Sequence, residues 1–465
     1  MDKYPKLVRD KIPEIINTNQ NQCQVKELNL QEYKQALKEK LVEESQEVLI
    51  AKESDLMEEI ADVYEVIEAL IYSYKLDKNK IKKIKENKAK TKGKFSKRLL
   101  LRPERQIIIQ EIDKSETEIL NSAEDFLKEQ ILPQAHLIDE DYNILKQKLY
   151  LMNDVNSQFF RLKLAQNWGG LEMSNLGFYS WQIIMAKYSG ALCFLQTQHQ
   201  SSIVMLTQGS QQIQEKYLPK IIQENQFCGV GFSHLRRQGK PSLTATQVKG
   251  GYELTGFVPW ITGYGIFSYF IIGATLVDRQ ELYGILPFFP HHNLQFSTSM
   301  KLCAMNSTNT VTATLTQWFL PEEDVVMIKP ADAIHKKDEE NVLYNGFFAL
   351  GCAQGALQIV KKNCHKLNLE EVDNIYTKLK TQTENLQTEM LDIIVNSQGD
   401  FSQKLALRVQ AINLAYRCSI AGIITSKGEA NQYDHPANRM YREALLYSVS
   451  GQTIPVLNNS LLSFE

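Results

Sequence analysis

The chain has 465 residues, a formal net charge of −2 at pH 7 and a hydrophobic fraction of 43%. This length exceeds one ordinary domain and predicts roughly two to four folded units, each with its own core. The near-neutral charge gives no basis for a nucleic-acid partner. The composition is that of a globular protein and excludes disordered and membrane-spanning classes.

The N-terminus is charged from Asp2 onward and has no apolar stretch of the kind found in secretory signals, so none is predicted. The apolar run at 267–276 is too short to span a bilayer, so no membrane partner is expected. The seven cysteines include no Cys-x-x-Cys pair, which argues against a zinc site and a disulfide framework. We therefore predict a soluble cytoplasmic protein.

Two pairs of acidic residues lie on the apolar faces of two predicted helices near the start of the chain. They are Glu44 with Glu47, and Glu59 with Asp62. Packing the two apolar faces together would gather four carboxylates, and such a cluster is unfavourable unless the pKa values rise or a cation compensates it. An all-oxygen ligand set suits Mg²⁺ or Mn²⁺. The alternative is that these are ordinary solvated helix acids.

The periodicity of apolar residues divides the chain into five segments. Residues 1–101 are predicted to be helical and end in a lysine-rich run, which is either a solvated helix end or a phosphate-binding surface. Residues 102–114 are predicted to be a linker, since Pro103 is flanked by charged residues. Residues 115–226 are again helical, 227–330 alternate as β-strands do, and 331–465 return to helical periodicity.

The first unit of the sequence resembles the all-α nucleoside triphosphate pyrophosphohydrolases of the MazG and phosphoribosyl-ATP pyrophosphohydrolase group. Three features carry the resemblance: residues 4–16, the two acidic pairs and the Lys-Gly-Lys-Phe sequence at 92–95. The resemblance implies that Glu44, Glu47, Glu59 and Asp62 bind Mg²⁺, which would activate water for cleavage of a nucleoside triphosphate. It also implies phosphate contacts, for which the candidates are Arg9, Lys11, Lys92 and Lys94. Proteins of this group usually work as dimers or tetramers.

From residue 131 onward, the order of segments is similar to that of the acyl-CoA dehydrogenase family. The resemblance is carried by the Trp-Gly-Gly at 168–170, the strand entry at 228–233, the Pro-Trp-Ile-Thr at 259–262 and the late segments 435–444 and 451–453. It implies a helical domain, a central β-barrel and a C-terminal helical bundle. The predicted fold class is therefore mainly α with a central β-barrel domain, preceded by the all-α hydrolase-like module.

The same resemblance implies a flavin, FAD or FMN, between barrel and bundle. An aromatic face covers a planar ring, and hydroxyls satisfy its polar atoms. The positions that match this family imply five residues in contact with the cofactor: Ser233, Trp260, Thr262, Gly451 and Thr453. Arg439 and Arg442 either clamp phosphate or pair with acidic neighbours.

The chain departs from this family at the catalytic base. The usual late glutamate is replaced by Ser450, and the alternative position on an earlier helix holds Asn345, followed by Gly346 where arginine is common. Neither side chain removes a proton without activation by a neighbour. His234 and Glu443 are the substitute candidates.

Three functions remain open at this stage. One is a redox flavoprotein acting on an acyl-CoA-like or other organic substrate, fused to a nucleotide pyrophosphohydrolase. Another is an enzyme of the flavin monooxygenase branch. The third is a non-catalytic acyl or flavin binder, with the first module as a sensor or an oligomerisation unit. A homo-oligomer, dimer or tetramer, is expected in each case.

Overall fold

The structure is a computed structural model and describes residues 6–18, 24–52, 54–94, 96, 114–155, 157–224 and 226–463. The chain divides into two units, Met1–Arg105 and Gln106–Glu465. Residues 102–113 of the predicted linker lie outside the described residues, as do residues 4, 5 and 95 of the segments that resemble pyrophosphohydrolases.

The first unit is helical wherever it is described, with helices α1 (Ile12–Thr18), α2 (Leu30–Ile50), α3 (Leu56–Ser73) and α4 (Lys78–Lys92). Helix α2 begins at a capping box, because the Asn29 side chain accepts from the backbone N–H of Glu32 while the Glu32 carboxylate accepts from the N–H of Asn29. It packs against α3. The buried hydrophobic side chains of the described part of this unit are Leu37 and Val66, so much apolar surface stays exposed.

The second unit starts with a helical layer. Its helices are α5 (Lys114–Phe126), α6 (Ala135–Glu140), α7 (Tyr142–Val155), α8 (Asn175–Tyr188), α9 (Gly190–Thr207) and α10 (Gln211–Gln223). Helix α5 continues into a π-helical turn, Leu127–Ile131, and a short 3₁₀ turn that contains Pro133. Ser189 separates α8 from α9 and caps α9 by accepting from the N–H of Leu192.

The middle of this unit is a mixed sheet. Its strands are β1 (Cys228–Gly231), β2 (Leu243–Val248), β3 (Gly251–Ile261), β4 (Tyr269–Thr275), β5 (Glu281–Pro287), β6 (Leu294–Phe296), β7 (Val311–Pro321) and β8 (Val325–Lys329). The strand order is β6-β7-β3-β2-β4-β5-β8, and β1 pairs in parallel with β4. Strands β4 and β5 are buried along almost their whole length, which matches their continuous apolar sequence.

The C-terminal layer consists of helices α11 (Ala333–Glu340), α12 (Tyr344–Leu367), α13 (Glu370–Val395), α14 (Phe401–Ser426), α15 (Pro436–Val449) and α16 (Ile454–Leu462). Helix α12 is the centre of the bundle and packs against α8, α13, α14 and α15. Its approach to α8 requires a glycine, because a Cβ at Gly351 would lie 2.4 Å from the carbonyl oxygen of Ile183. The helical layer and the bundle therefore share one core.

The predicted helix–sheet–helix order and the mainly helical character of the chain are confirmed. The predicted closed barrel is wrong. Strands β6 and β8 lie at opposite ends of the strand order and do not pair with each other, so the described sheet does not close. Among the described helices, none has the length and apolar character needed to cross a membrane.

Candidate functional site

The second unit contains a cavity of about 450 Å³ where the helical layer, the sheet and the C-terminal bundle meet. Helices α8, α9, α11 and α12 form most of its wall, with contributions from the end of β8, from residues 232 and 236 and from the turn after α15. We call it the central cavity. Its position at the junction of three layers is typical of small-molecule sites.

Three of the residues singled out in the sequence line the central cavity: Asn345 at the start of α12, and Gly451 and Thr453 in the turn after α15. Gly451 has a φ of +58°, which favours glycine. A Cβ at this position would lie 2.1 Å from Asn345 Nδ2. The Asn345 amide instead donates to the carbonyl oxygen of Ser450 at 3.4 Å, so the two positions where a catalytic carboxylate was expected contact each other.

Arg408 of α14 also lines the central cavity and was missed by the sequence analysis. Its guanidinium donates to the carbonyl oxygens of Ser450 at 2.8 Å, Gly451 at 3.0 Å and Val342 at 3.3 Å. Burial lowers the pKa of Arg408 to about 10, which leaves it charged at neutral pH. The one available signal was a charged residue within the otherwise apolar helical stretch 405–409.

Asp338 is the one carboxylate among the described residues that line the central cavity. It is held by Arg236, whose Nε and Nη2 donate to the two carboxylate oxygens at 2.6 and 2.8 Å. Both carboxylate oxygens of Asp338 are therefore engaged by one arginine. Lys163, Lys329 and Lys337 line the same cavity, which gives its wall an excess of positive charge.

The other predicted flavin contacts lie outside the lining of the central cavity. Ser233 is exposed and begins the 3₁₀ turn Ser233–Arg236 after β1. Trp260 is on β3 with 48% of its surface exposed. Thr262 is buried, and its hydroxyl shares a hydrogen bond of 3.1 Å with that of Thr310. Ser233 and Trp260 therefore keep surface available to a ligand, whereas Thr262 contacts protein.

Arg439 and Glu443 form a buried ion pair on α15. Glu443 has no exposed surface and accepts a hydrogen bond from the N–H of Gly190 at 3.3 Å. Burial raises the pKa of Glu443 to about 7, against the opposing effect of Arg439. Neither residue lines the central cavity. These placements favour a structural role over catalysis by Glu443 or flavin binding by Arg439.

Arg442 is part of the same buried network and pairs with protein groups, while its buried Nε has no partner among the described residues. It contacts the carboxylates of Asp139 at 3.1 Å and Glu140 at 3.5 Å, and it lies over the ring of Tyr433. Asp139 in turn accepts from the N–H of Met305 at 2.8 Å. The network therefore joins α15 to α6 and to the loop before β7, and these contacts favour pairing with acidic neighbours over a phosphate clamp for Arg442.

Two histidines of the second unit, the candidate base His234 and His199, are buried and neutral. His199 Nδ1 accepts from the N–H of Cys228 at 3.2 Å, and burial lowers the pKa of His199 to about 3. His234 Nε2 lies 2.7 Å from the carbonyl oxygen of Gly273, and burial lowers its pKa to about 4. His234 lines a different cavity, of about 350 Å³, that shares no lining residue with the central cavity.

In the first unit, oxygen atoms of Glu44, Glu59 and Asp62 lie within 4.8 Å of one another. Glu47 is outside this trio, but burial and the carboxylates of Glu44 and Glu59 raise its pKa. Lys40 pairs with Glu44 at 2.8 Å, so one acid already has a protein cation beside it.

The predicted phosphate contacts of the first unit differ in whether they already pair with an acidic residue. Arg9 pairs with Asp62 while its side chain stays more than half exposed. Lys11, Lys92 and Lys94 are exposed, and α4, on which Lys92 lies, buries none of its residues.

Comparison with known proteins concerns the second unit. Residues 113–225 match the family described as acyl-CoA dehydrogenase, N-terminal domain. A search of curated proteins finds no match. None of the comparisons supports the resemblance of the first unit to pyrophosphohydrolases.

Several solved structures share the fold. Butyryl-CoA dehydrogenase from Megasphaera elsdenii superposes with a TM-score of 0.63 at 15% identity, over 76% of this chain and 98% of that chain. Glutaryl-CoA dehydrogenase from Mycobacterium smegmatis gives 0.65 at 12% identity, over 77% and 97%. Acyl-CoA dehydrogenase from Geobacillus kaustophilus gives 0.64 at 11% identity, over 76% and 99%. The chain therefore contains the acyl-CoA dehydrogenase fold, and its segment 113–225 matches the N-terminal domain of that family.

Proposed function

We propose that the second unit is a flavin-dependent oxidoreductase that acts on an acyl-CoA-like thioester or a related organic substrate. The observation that carries this proposal is the central cavity, which lies at the junction of the three layers of an acyl-CoA dehydrogenase fold and is lined by Gly451, Thr453 and Asn345. The solved structures that share this fold include butyryl-CoA and glutaryl-CoA dehydrogenases. Fold likeness supports this architecture more strongly than any one substrate.

The residues present fit FAD, with FMN as the alternative. Trp260 offers a half-exposed aromatic face, Ser233 an exposed hydroxyl, and Gly451 a backbone that a larger residue would block. Thr262 and Thr453 are the further candidates. When bound, the flavin supplies the electron acceptor for the reaction. Arg439 is not proposed as a contact, because Glu443 already occupies its guanidinium.

Proton removal is the step for which this chain lacks the usual residue. Asn345 and Ser450 occupy the expected positions, and Asp338 is paired with Arg236. We therefore propose a substrate whose oxidation does not depend on a free carboxylate in the cavity, as in the flavin monooxygenase branch. The absence of an unpaired carboxylate among the described lining residues also favours a second candidate, a non-catalytic acyl or flavin binder.

The flavoprotein assignment is tested by titrating the purified chain with FAD and measuring absorbance and flavin fluorescence. We expect uptake of FAD, and roughly tenfold weaker binding in Trp260→Leu, because stacking on an aromatic face is lost. Phe319→Leu is the matched control, since Phe319 is also half exposed on a neighbouring strand but is not a proposed contact. A chain that takes up neither FAD nor FMN would contradict the proposal. Anaerobic bleaching of the bound flavin by a thioester would separate the enzyme from the non-catalytic binder.

We also propose a divalent cation site in the first unit, bound by Glu44, Glu59 and Asp62 with Glu47 beside them, which would support hydrolysis of a nucleoside triphosphate. The specific support is Glu44, which is 5% exposed and has a carboxylate oxygen, Oε2, without a partner among the described residues. Mg²⁺ and Mn²⁺ suit such a donor set. Arg9 is then a counter-ion of Asp62, and Lys11, Lys92 and Lys94 remain the candidates for phosphate contact.

This second proposal is tested by calorimetric titration of the full chain with MnCl₂. We expect Glu44→Gln to weaken binding by roughly 10–100-fold, because a buried ligand is lost. Glu65→Gln on the exposed face of α3 should bind as the unaltered chain does. Equal affinity of all three proteins would rule out the site. Mg²⁺-dependent release of pyrophosphate from a panel of nucleoside triphosphates would then test the activity.

Homo-oligomerisation is proposed for both units. The first unit exposes Leu49 and Met57 at 83% each. The second exposes Ile424 on α14 and Ile454 on α16 at 68% and 65%. Apolar side chains exposed in such numbers favour contact with a further protein surface. The cytoplasmic location and the absence of a nucleic-acid partner stay predictions from the sequence.

A further inference from the structure

Three carboxylates of the first unit, which we call the acidic trio, have two protein cations in contact with them. The trio consists of Glu44, Glu59 and Asp62. Lys40 contacts Glu44 from within the same helix, α2. Arg9 comes from the segment before α1 and contacts Oδ1 of Asp62 on α3. The two cations therefore reach the trio from different parts of the chain.

The protein holds these two cations unequally. The Lys40 side chain is 18% exposed and lies 2.8 Å from Glu44 and 3.0 Å from Glu43. The Arg9 side chain is 57% exposed, and its ion-pair partner among the described residues is Asp62, which is itself 39% exposed. An exposed pair contributes little to stability, because water and salt screen it. Arg9 is therefore the cation that is more easily displaced from the trio.

The backbone of Arg9 is anchored independently of its side chain. The Arg9 carbonyl oxygen accepts from the N–H of Ile12 at 3.0 Å, and that of Lys11 accepts from the N–H of Ile15 at 3.1 Å. These bonds form the first turn of α1 and do not involve Asp62. The guanidinium can therefore leave Asp62 without unfolding α1.

A divalent cation at the trio would change the charge balance around Arg9. Three ionised carboxylates with Lys40 carry two net negative charges, which one divalent ion neutralises, so Arg9 becomes a surplus cation. A guanidinium on an oxygen of Asp62 is also repelled by a metal ion bound to the same carboxylate. A free guanidinium offers paired N–H donors, which suit a phosphate group.

We propose that Arg9 is a displaceable counter-ion that couples metal binding to anion binding. It pairs with Asp62 in the metal-free protein, and it binds a phosphate group of the nucleotide once a divalent cation occupies the trio. The metal is then the first ligand to bind and the anion the second. The inference rests on the proposed cation site and specifies how that site is regulated.

The competing role for Arg9 is to stay on Asp62 and orient it as a metal ligand, and the two roles differ in sign. Removing a displaceable counter-ion tightens metal binding, whereas removing an orienting partner weakens it by roughly 10–100-fold. Calorimetric titration of the full chain with MnCl₂ should show binding to Arg9→Met that is roughly two- to fivefold tighter than to the unaltered chain, the range that an exposed ion pair supports.

Lys52→Met is the control for the loss of one positive charge. Lys52 is exposed in the turn between α2 and α3 and forms no ion pair with the described residues, so this variant should bind MnCl₂ as the unaltered chain does. Equal or weaker binding by Arg9→Met would overturn the inference and leave the cation site intact. Failure of the unaltered chain to bind MnCl₂ would overturn both.

Release of the guanidinium is measured by phenylglyoxal modification of the full chain, followed by peptide mass analysis. Saturating MnCl₂ should accelerate modification of Arg9 roughly two- to fivefold over EDTA. Arg417, an exposed arginine of α14, is the internal reference and should react equally in both. Glu44→Gln should abolish the acceleration. An Arg9 rate that is unaffected by bound metal would overturn the exchange.

The anion half of the inference has its own readout, with inorganic tripolyphosphate as the probe. With MnCl₂ in excess, tripolyphosphate should slow the modification of Arg9 again, because the phosphate engages the guanidinium. In EDTA it should have no effect, since Asp62 already occupies Arg9. Protection that is absent with MnCl₂, or equal in EDTA, would overturn the coupling between metal and anion.

Discussion

Replacing Arg442 by methionine should lower the free energy of unfolding of the second unit by about 3–5 kcal/mol. Arg442 is 6% exposed and Asp139 is 1% exposed, so the substitution strands a buried carboxylate. The N–H of Met305 would remain as a donor to Asp139, which does not compensate a full charge. The change also removes the contact between the guanidinium and the ring of Tyr433. Denaturant unfolding followed by circular dichroism measures the difference.

Arg417→Met is the control for this experiment. Arg417 is an exposed arginine on α14, and its replacement should change the free energy of unfolding by less than about 0.5 kcal/mol. If Arg442→Met were as mild as Arg417→Met, the buried network would not be the structural element that we describe. The phosphate-clamp interpretation of Arg442 would then deserve a new test by FAD titration of that variant.

Acidification from pH 6.5 to 5 should destabilise the chain through His199. The folded state keeps this histidine neutral, with a pKa of about 3, whereas an unfolded histidine takes up a proton below its ordinary value of 6.5. The unfolded state therefore binds more protons in this window, and stability falls as the pH falls. For one such group the expected slope is about 0.7 kcal/mol per pH unit at pH 6.5, where half of the unfolded histidine is protonated, and it approaches about 1.4 kcal/mol per pH unit toward pH 5.

The slope is isolated by comparison with His199→Gln, because other groups also titrate. Burial lowers the pKa of His234, which acts in the same direction, and raises that of Glu443 to about 7, which acts in the opposite direction. A glutamine can still accept from the N–H of Cys228 but cannot be protonated. The difference in unfolding free energy between the two proteins should shrink steadily from pH 6.5 to 5. A difference that is independent of pH would show that His199 is not held neutral.

The sequence was sufficient for the elements and for part of the site. Helical periodicity, strand alternation and Gly-rich turns are local properties, so the helical and β regions were predicted in the right order. Gly451 and Thr453 were singled out through the resemblance to acyl-CoA dehydrogenases, and both line the central cavity. The sequence also shows directly that Ser450 and Asn345 stand at the two positions where a catalytic carboxylate was expected.

The missed residues come from elements that are distant in sequence. The central cavity is lined by residues of three helices that are far apart in sequence: Gln182 of α8, Gln200 of α9 and Arg408 of α14. No local sequence pattern indicates that these residues share one cavity. Glu443 was a candidate base because of its position near the end of the chain, but the structure buries it against Arg439. The closed barrel was inferred by resemblance, and closure depends on pairing between strands that are far apart in sequence.

By itself, the sequence determined which segments become helices and strands, where acids and cations lie along them, and which usual catalytic carboxylate is missing. Only the tertiary structure decided which of these charges meet: Arg9 with Asp62, Arg236 with Asp338, and Arg442 with Asp139. The reason is physical, since the energy of a charge depends on its burial and on the partner that faces it, and both are set by long-range packing.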